Sequence, residues 1–252
     1  MPVIASLQNP TIKLVRSLRE KKHRAETGLF VAEGSKVLAR AREGGWKPEY
    51  VFVREGVDCE AASPPAMTIT EKVMTSLSVQ GNPPDAIGVF RQRVATEAPA
   101  FSAQDLWVAL DAIRDPGNLG TILRTAEAAG ASGVILLGAS CDPFSPECVR
   151  ASTGSIFAVP LVRLTEDGFA RAAEGWTGEV VATSMTGAHD FRRTYRPPVL
   201  LLMGSEGRGL SPALAAFAST SVRIPMASGT ESLNVAIATA LMLYEIRRTR
   251  LT

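Results

Sequence analysis

The sequence predicts an α/β protein in which a small amino-terminal α/β domain precedes a larger domain, built on a largely parallel sheet with helices on both faces. The later part of the chain alternates short apolar runs with helical or loop segments. These runs are continuous rather than alternating apolar and polar, which indicates strands buried on both faces. A small, polar, proline-containing segment, ATEAPAFSAQ, is typical of a linker. We therefore expect domains at 1–94 and 105–252, with a linker at 95–104.

The elements of the first domain follow from periodicity and from helix-ending residues. Pro10 opens a helical pattern, TIKLVRSLREKKHR, with apolar residues on one side and basic residues elsewhere. GLFVAEG is predicted as a strand, SKVLARAREGG as a helix that Gly44 and Gly45 end, and YVFV as a second strand. ITEKVMTSLS and AIGVFRQRV add a helix and a strand.

The second domain is predicted to begin with the strand LWVALD and a helix from about Asn118 to Ala129, with Asn118 as its capping residue. Further strands are predicted at GVILLG, FAVPLV, EVVATS, PVLLLMG and VRIP. A strongly apolar last helix should begin near the capping side chains of Ser232 and Asn234. The stripe expected to face the core follows helical spacing and comprises Leu233, Ile237, Leu241 and Tyr244.

A basic amino-terminal segment stands out against a formal net charge of only +2. Between Met1 and Arg24 there are six basic residues and one acidic residue, Glu20. Such a segment on a near-neutral body predicts a polyanionic partner, most economically nucleic acid, although a solvated helix face is an equally good interpretation of the run alone. The residues that we expect to contact RNA are Lys13, Arg16, Lys21, Lys22 and Arg24.

Cysteine and histidine usage argues against a metal site. The three cysteines form no CxxC pair, and two histidines complete no usual zinc-ligand spacing. The longest apolar run, Val235 to Tyr244, is far shorter than the ~20 residues that span a bilayer, and no signal-peptide pattern opens the chain. We expect a reduced, cytoplasmic, metal-free protein without membrane insertion.

Three loops rich in glycine, serine or threonine follow predicted strands: DAIRDPGNLG, MGSEGRGLSP and PMASGTESLN. Ligands of open parallel sheets bind outside the carboxyl ends of the strands, so these loops favour one shared pocket over three independent turns. The first loop matches neither GxGxxG nor the P-loop pattern, which argues against a dinucleotide or P-loop site.

Together, NLGTILRTAEAAG, GSEGRGLSP and IPMASGTESLNVAIATALMLYEI resemble the three motifs of the SpoU, or TrmH-type, RNA ribose 2′-O-methyltransferases of the SPOUT class. Residue types, order and spacing agree from Asp111 to Ile246, although Ala236 stands where a small hydroxyl residue is common. The segment LQNPTIKLVRSLREKKHRAETGLFVAEGSKVL resembles the small RNA substrate-binding domain attached to many of these enzymes. The resemblance implies S-adenosyl-L-methionine as methyl donor, ribosomal or transfer RNA as substrate, a homodimer, and a carboxyl-terminal trefoil knot, which is an exception to the rule that chains avoid threading.

The resemblance also implies roles for individual residues. The donor pocket would be built largely from backbone at Gly204, Ile224 and Leu233, with Thr183, Met203 and Met226 as further lining. The polar residues implied in catalysis or substrate placement are Asn118, Arg124, Glu206, Ser232 and Asn234. An arginine is protonated up to a pH above ~12. Arg124 is therefore expected mainly to stabilise the developing alkoxide or to contact an RNA phosphate, rather than to act as a general base.

Two alternatives remain open. A noncatalytic RNA-binding protein of the same fold would be indicated by erosion of this polar set, but all five residues are present. An unrelated α/β enzyme that binds a phosphate-containing nucleotide is the other alternative. Calorimetry with S-adenosylhomocysteine, ATP and NAD would separate the three hypotheses.

Overall fold

The structure is a computed structural model that describes residues 3–60, 66–205, 207–228 and 232–251. The chain divides into two compact units, one formed by 1–93 with 142–158 and the other by 94–141 with 159–252. The boundary therefore differs from the predicted domains in one respect, because 142–158 belongs to the first unit. The predicted linker also begins with a paired residue, since Ala95 forms a parallel bridge with Val162 within the second unit.

The first unit contains a four-stranded sheet of order β1-β4-β2-β3. The β1–β4 and β4–β2 pairs are antiparallel and the β2–β3 pair is parallel. Its strands are β1 (Leu29–Glu33), β2 (Pro48–Arg54), β3 (Ala66–Ile69) and β4 (Ala86–Arg91). Its helices are α1 (Pro10–Ser17), α2 (Lys21–Thr27), α3 (Ser35–Glu43), α4 (Glu71–Leu77) and α6 (Pro146–Ser152).

The predicted single basic helix is wrong in one respect, because the chain breaks between α1 and α2. Glu20 is extended, with φ of −87° and ψ of 133°. The buried guanidinium of Arg24 compensates for the break by donating to the carbonyl oxygens of Leu18, at 2.8 Å, and Arg19, at 2.7 Å. The same side chain pairs with Asp142 at 2.8 Å. The buried Arg24 thus stabilises a break in the chain where periodicity alone predicts a continuous helix.

Segment 142–158 lies in the first unit because its aromatic residues enter that unit's core. Phe144 is buried with its ring centroid 4.7 Å from that of Phe30. Phe157, in a 3₁₀ turn over Ser155–Phe157, lies 5.1 Å from Trp46 in an edge-to-face arrangement. The predicted strand FAVPLV is correspondingly shortened, since only its end belongs to a strand.

The second unit contains a seven-stranded sheet of order β7-β6-β5-β10-β8-β11-β9 in which every strand pair is parallel. This confirms the predicted parallel α/β architecture. The strands are β5 (Leu106–Asp111), β6 (Gly133–Leu137), β7 (Leu161–Arg163), β8 (Glu179–Thr183), β9 (His189–Asp190), β10 (Val199–Gly204) and β11 (Thr220–Arg223). The helices are α5 (Pro116–Ala128), α7 (Glu166–Glu174), α8 (Pro212–Ala215) and α9 (Val235–Arg247).

Strand order reverses direction at β5, which lies between β6 and β10. Every residue of β5 and of β6 is buried, which agrees with their continuous apolar sequences. Such a reversal opens a crevice beyond the carboxyl ends of the central strands, where ligands of this architecture bind. The three glycine-, serine- or threonine-rich loops of the sequence leave the sheet at this end.

In the second unit, the start of α5 differs from the prediction, whereas the start of α9 agrees with it. Helix α5 begins at Pro116, and Asp115, rather than Asn118, is its cap: the Asp115 carboxylate accepts from the Asn118 amide at 2.6 Å. Helix α9 does begin after Asn234, whose side chain accepts from the amides of Ala236 and Ile237.

Of the four positions expected to face the core, Leu233 precedes α9 and is half-buried, whereas the three on the helix are exposed. Ile237, Leu241 and Tyr244 are 50%, 39% and 50% exposed. The buried positions include Thr239, Met242 and Leu243 instead, and α9 packs against α5. Because α9 is apolar around most of its circumference, periodicity could not identify its inward face.

In the described ranges, no helix is long and apolar enough to cross a membrane. Within the same ranges, no group of three or more His, Cys, Asp or Glu side chains has an arrangement that could hold a metal ion.

Candidate active site

A cavity of about 740 Å³ lies in the second unit, at the carboxyl ends of its strands. Its volume is within the range of about 300–1,000 Å³ that is usual for small-molecule sites. Loops after β8, β10 and β11 and the start of α9 contribute its walls. The six residues that the resemblance implied for donor binding all line it, namely Thr183, Met203, Gly204, Ile224, Met226 and Leu233.

The loop after β10 folds back over the end of its own strand. Gly209 has a φ of +67°, and its amide donates to the Ser205 carbonyl at 2.8 Å. A Cβ added at Gly204 would collide with backbone atoms of Gly209 and Leu210. Only glycine therefore permits this loop to lie so close to the strand end.

Neighbouring strands hold this wall in position. Asp111, at the end of β5, pairs in register with Gly204. Its carboxylate accepts from the Ser211 amide at 2.8 Å, which anchors the far end of the glycine-containing loop. Across the other side of β10, the Thr183 hydroxyl lies 3.3 Å from the Met203 sulfur. The cavity wall is thus fixed by contacts from both strands that flank β10.

Asn118 and Asn234 are brought together although 116 positions separate them in the sequence. The Asn234 side-chain amide donates to the Asn118 side-chain oxygen at 2.9 Å. Asn234 directly follows Leu233 and precedes Val235, both of which line the cavity. This hydrogen bond links the start of α5 to the start of α9 beside the cavity wall.

The remaining polar candidates are placed differently. Ser232 lines the cavity. Arg124 is exposed on α5 and does not line the cavity, and the described parts of the chain offer it no ion pair. Glu206 lies outside the described residues, as do positions 229–231 of the third loop.

In the first unit, the structure separates one member of the expected RNA-contacting set from the others. Lys13, Arg16, Lys21 and Lys22 are exposed. Arg24 is 3% exposed and is engaged by Asp142 and two backbone carbonyls. We therefore correct its assignment, because a guanidinium buried in these contacts is not available to a phosphate.

Sequence reasoning did not single out several residues of the cavity. Ser184 and Met185 follow β8 and line it, and Met185 is 56% exposed. In the sequence pattern, Asp111 is only the last residue of the predicted strand LWVALD. Its hydrogen bond to Ser211 spans 100 positions, so no local pattern could have indicated it.

Comparison with protein families gives two matches that together cover most of the chain. Residues 105–244 match the SpoU rRNA Methylase family. Residues 9–88 match the MRM3-like substrate binding domain. The first match alone spans more than half of the 252 residues.

Individual proteins match over nearly the whole chain. A 23S rRNA (uridine(2479)-2′-O)-methyltransferase of Streptomyces viridochromogenes is 30% identical over 93% of this chain and 88% of its own length. The 23S rRNA (guanosine(2553)-2′-O)-methyltransferase RlmP of Bacillus subtilis is 27% identical over 98% and 100%, respectively. The crystal structure of an AdoMet-bound rRNA methyltransferase from Sinorhizobium meliloti superposes with a TM-score of 0.91 at 41% identity, covering 100% of this chain and 99% of that one.

Proposed function

Because this chain belongs to the SpoU rRNA methylase family, we propose that it transfers a methyl group from S-adenosyl-L-methionine to a ribose 2′-hydroxyl of RNA. The observation that carries the proposal is the single cavity in which all six expected donor-binding residues meet. Ribosomal RNA is the favoured substrate class, because the full-length relatives named above are ribosomal RNA methyltransferases. We place this activity in the cytoplasm, together with its substrate.

The residues of the cavity suit S-adenosyl-L-methionine, whose sulfonium supplies an activated methyl group when bound. Gly204 lines the cavity without a side chain, so backbone forms this part of the wall. Met203, Ile224 and Leu233 supply apolar surface, and Thr183 and Ser232 supply hydroxyl groups. This mixture of apolar lining and a few polar groups is typical of small-molecule sites.

Catalysis in this proposal depends chiefly on positioning and charge. Holding reactants in attack geometry can contribute roughly 7–11 kcal/mol. Asn118 and Asn234, joined by their side-chain hydrogen bond, would orient the acceptor ribose. Arg124, which has no ion-pair partner in the described ranges, would stabilise the developing alkoxide or bind the adjacent phosphate. Glu206 and Ser232 complete the proposed polar set.

The decisive experiment maps 2′-O-methyl sites in total RNA from cells with and without this protein. A site that disappears without the protein, and returns with the wild-type chain but not with Arg124→Ala, would support the proposal. The variant should bind S-adenosylhomocysteine in calorimetry with an affinity within about twofold of wild type, because Arg124 does not line the cavity. Full methylation by Arg124→Ala would remove this residue from the mechanism.

The exposed basic residues of the first unit supply the proposed RNA-contacting surface. Neutralising Lys13, Arg16, Lys21 and Lys22 should weaken RNA binding and flatten its dependence on salt. With fewer phosphate contacts, fewer counterions are released when the RNA binds. An unchanged salt slope would instead favour a solvated helix face.

We further propose that the protein is a homodimer through α9. Ile237, Leu241 and Tyr244 are exposed at spacings of four and three residues, so they form one apolar stripe on the helix. Such a stripe suits a self-complementary interface between two copies around a two-fold axis. Leu241→Asp should yield a monomer in analytical ultracentrifugation. The control Val3→Asp, at an apolar position that is 41% exposed in the first unit, should leave the oligomeric state unchanged. A wild-type monomer would refute the proposal.

The carboxyl-terminal trefoil knot implied by the family resemblance also stays a prediction. Close packing of the loop after β10 at Gly204 is compatible with it.

A further inference from the structure

A second cavity, of about 210 Å³, lies wholly within the first unit. Residues of the α1 segment, β1, α3, the end of α4 and α6 enclose it. Its floor and walls are aliphatic and comprise Val15, Leu18, Val31, Val37, Leu77 and Val149. Polar side chains contribute to its lining at Arg19, Glu33, Gln80 and Arg150. The cavity is therefore an apolar slot with charged groups in its lining.

One wall of this slot is held in place by hydrogen bonds. The Glu33 carboxylate accepts from the Ser78 hydroxyl at 2.6 Å, the Val79 amide at 2.9 Å and the Gln80 side-chain amide at 3.2 Å. Arg19 donates to the carbonyl oxygen of Ser76 at 2.9 Å. A wall fixed in this way is preorganised, so a ligand would not have to order it on binding.

The charges of the slot favour an anionic ligand. Arg150 is exposed on α6, and no acidic side chain in the described parts of the chain pairs with it. Arg19 is an exposed member of the same lining, and one of its guanidinium nitrogens donates to the carbonyl oxygens of Ser76 and Ser78. Glu33, in contrast, already accepts three hydrogen bonds within the protein. An uncharged apolar ligand would leave the positive charges of both guanidinium groups without an anionic partner.

The position of the slot along the chain connects it with the proposed RNA-contacting surface. Val15, Leu18 and Arg19 line it, and Arg16, an exposed member of the basic set, lies between them in the sequence. The exposed Arg16 and the lining residues Val15, Leu18 and Arg19 thus belong to one short segment, so RNA bound at Arg16 would lie within a few residues of the slot. Unpaired bases of RNA are commonly splayed out and bound between apolar side chains while their phosphates meet cations.

From these observations we propose that the slot binds one unpaired nucleobase of the substrate RNA, with Arg19 and Arg150 contacting its flanking phosphates. The inference rests on the proposed function in taking RNA as the substrate. It adds a base-binding subsite in the first unit, separate from the donor cavity of the second. The slot would thereby help to select which RNA is modified, because only a nucleotide without a pairing partner enters it.

The test uses the full chain and a short single-stranded oligoribonucleotide that carries 4-thiouridine. Irradiation should cross-link the probe to peptides containing 15–19, 31–37 or 146–153. Val37→Phe fills the slot from the partly exposed face of α3 and should abolish these cross-links and weaken probe binding about tenfold. Val3→Phe makes the same change at a position 41% exposed outside the slot and should behave as wild type.

A second pair of variants does not depend on filling the slot. Arg150→Ala should weaken probe binding by about fivefold and reduce the salt slope by about one phosphate contact. Lys47→Ala, which removes an exposed cation outside the slot, should have a smaller effect. Equal effects of Arg150→Ala and Lys47→Ala, together with cross-links outside the slot, would overturn the inference.

Methylation of total RNA and S-adenosylhomocysteine binding by the same preparations separate this inference from the proposed function. If the wild type methylates RNA but Val37→Phe binds the probe and cross-links to it as Val3→Phe does, only the base-binding slot is refuted. If the wild type neither methylates RNA nor binds S-adenosylhomocysteine, the proposed function itself fails.

Discussion

Substitution of Gly204 by alanine tests whether the glycine at the end of β10 is required by the donor cavity. The added Cβ would meet the backbone of Gly209 and Leu210, not the flexible end of a side chain. Overpacking typically costs about 1–3 kcal/mol, and we expect the upper end, about 3 kcal/mol, because backbone held by neighbouring strands cannot easily move. The loop should shift away from the strand and distort the cavity wall that it forms.

Two measurements follow from this geometry. The free energy of unfolding should fall by about 3 kcal/mol in urea denaturation followed by tryptophan fluorescence, because two of the three tryptophans, Trp107 and Trp176, lie in the second unit. The affinity for S-adenosylhomocysteine should fall by at least about tenfold in calorimetry, which corresponds to about 1.4 kcal/mol.

Gly207→Ala is the matched control, because it makes the same change in the same loop. A Cβ at Gly207 meets no atom within 4 Å. Its unfolding free energy should stay within about 0.5 kcal/mol of wild type. Gly207 also lines the cavity, and its substitution should lower donor affinity less than Gly204→Ala does. Identical stability and affinity of the two variants would refute the close-approach argument and, with it, the requirement for glycine at the strand end.

Three further predictions concern other contacts. Arg24→Met should destabilise the first unit by about 3 kcal/mol, because it leaves the partly buried Asp142 without its ion-pair partner. Urea denaturation measures this loss, and a change below about 0.5 kcal/mol would refute a structural role for Arg24. Asn118→Ala and Asn234→Ala should each lower the rate of methyl transfer, and their effects should not add. A double-mutant cycle should give a coupling energy of about 1 kcal/mol between the two substitutions. Strictly additive effects would exclude a functional contact between the two side chains. Burial raises the pKa of Tyr195 to about 12, above the value of about 10 in the unfolded chain. As the pH rises, the unfolded chain therefore loses this proton before the native state does. The free energy of unfolding should fall as the pH rises from about 10 to about 12. Tyr195→Phe should lack this component, and equal slopes for both proteins in pH-dependent denaturation would contradict the assignment.

Predictions from local patterns succeeded where short stretches of chain carry their own physical signal. Continuous apolar runs such as LWVALD correctly indicated parallel strands buried on both faces. Asn234 was correctly predicted near the start of α9, because a capping side chain needs only the next two or three amides. At α5 the same logic selected Asn118 instead of Asp115, three positions earlier, since both residue types can cap.

Contacts between distant segments could not be predicted in this way. The α1–α2 break depends on Arg24 reaching backwards to the Leu18 and Arg19 carbonyls and forward to Asp142. The inclusion of 142–158 in the first unit depends on Phe144 packing against Phe30. No periodic pattern in the sequence indicates either feature, because each requires partner residues that only the folded chain brings close together.

The sequence by itself determined the class of this protein, because the alternation of apolar runs and helices, together with three loops of distinctive residue types, is a local property. Tertiary structure decided how these parts are used. It placed six separate residues around one cavity and joined Asn118 to Asn234. It also turned Ile237, Leu241 and Tyr244 outward, because packing against α5 selected the opposite face of a helix that is apolar on nearly all sides.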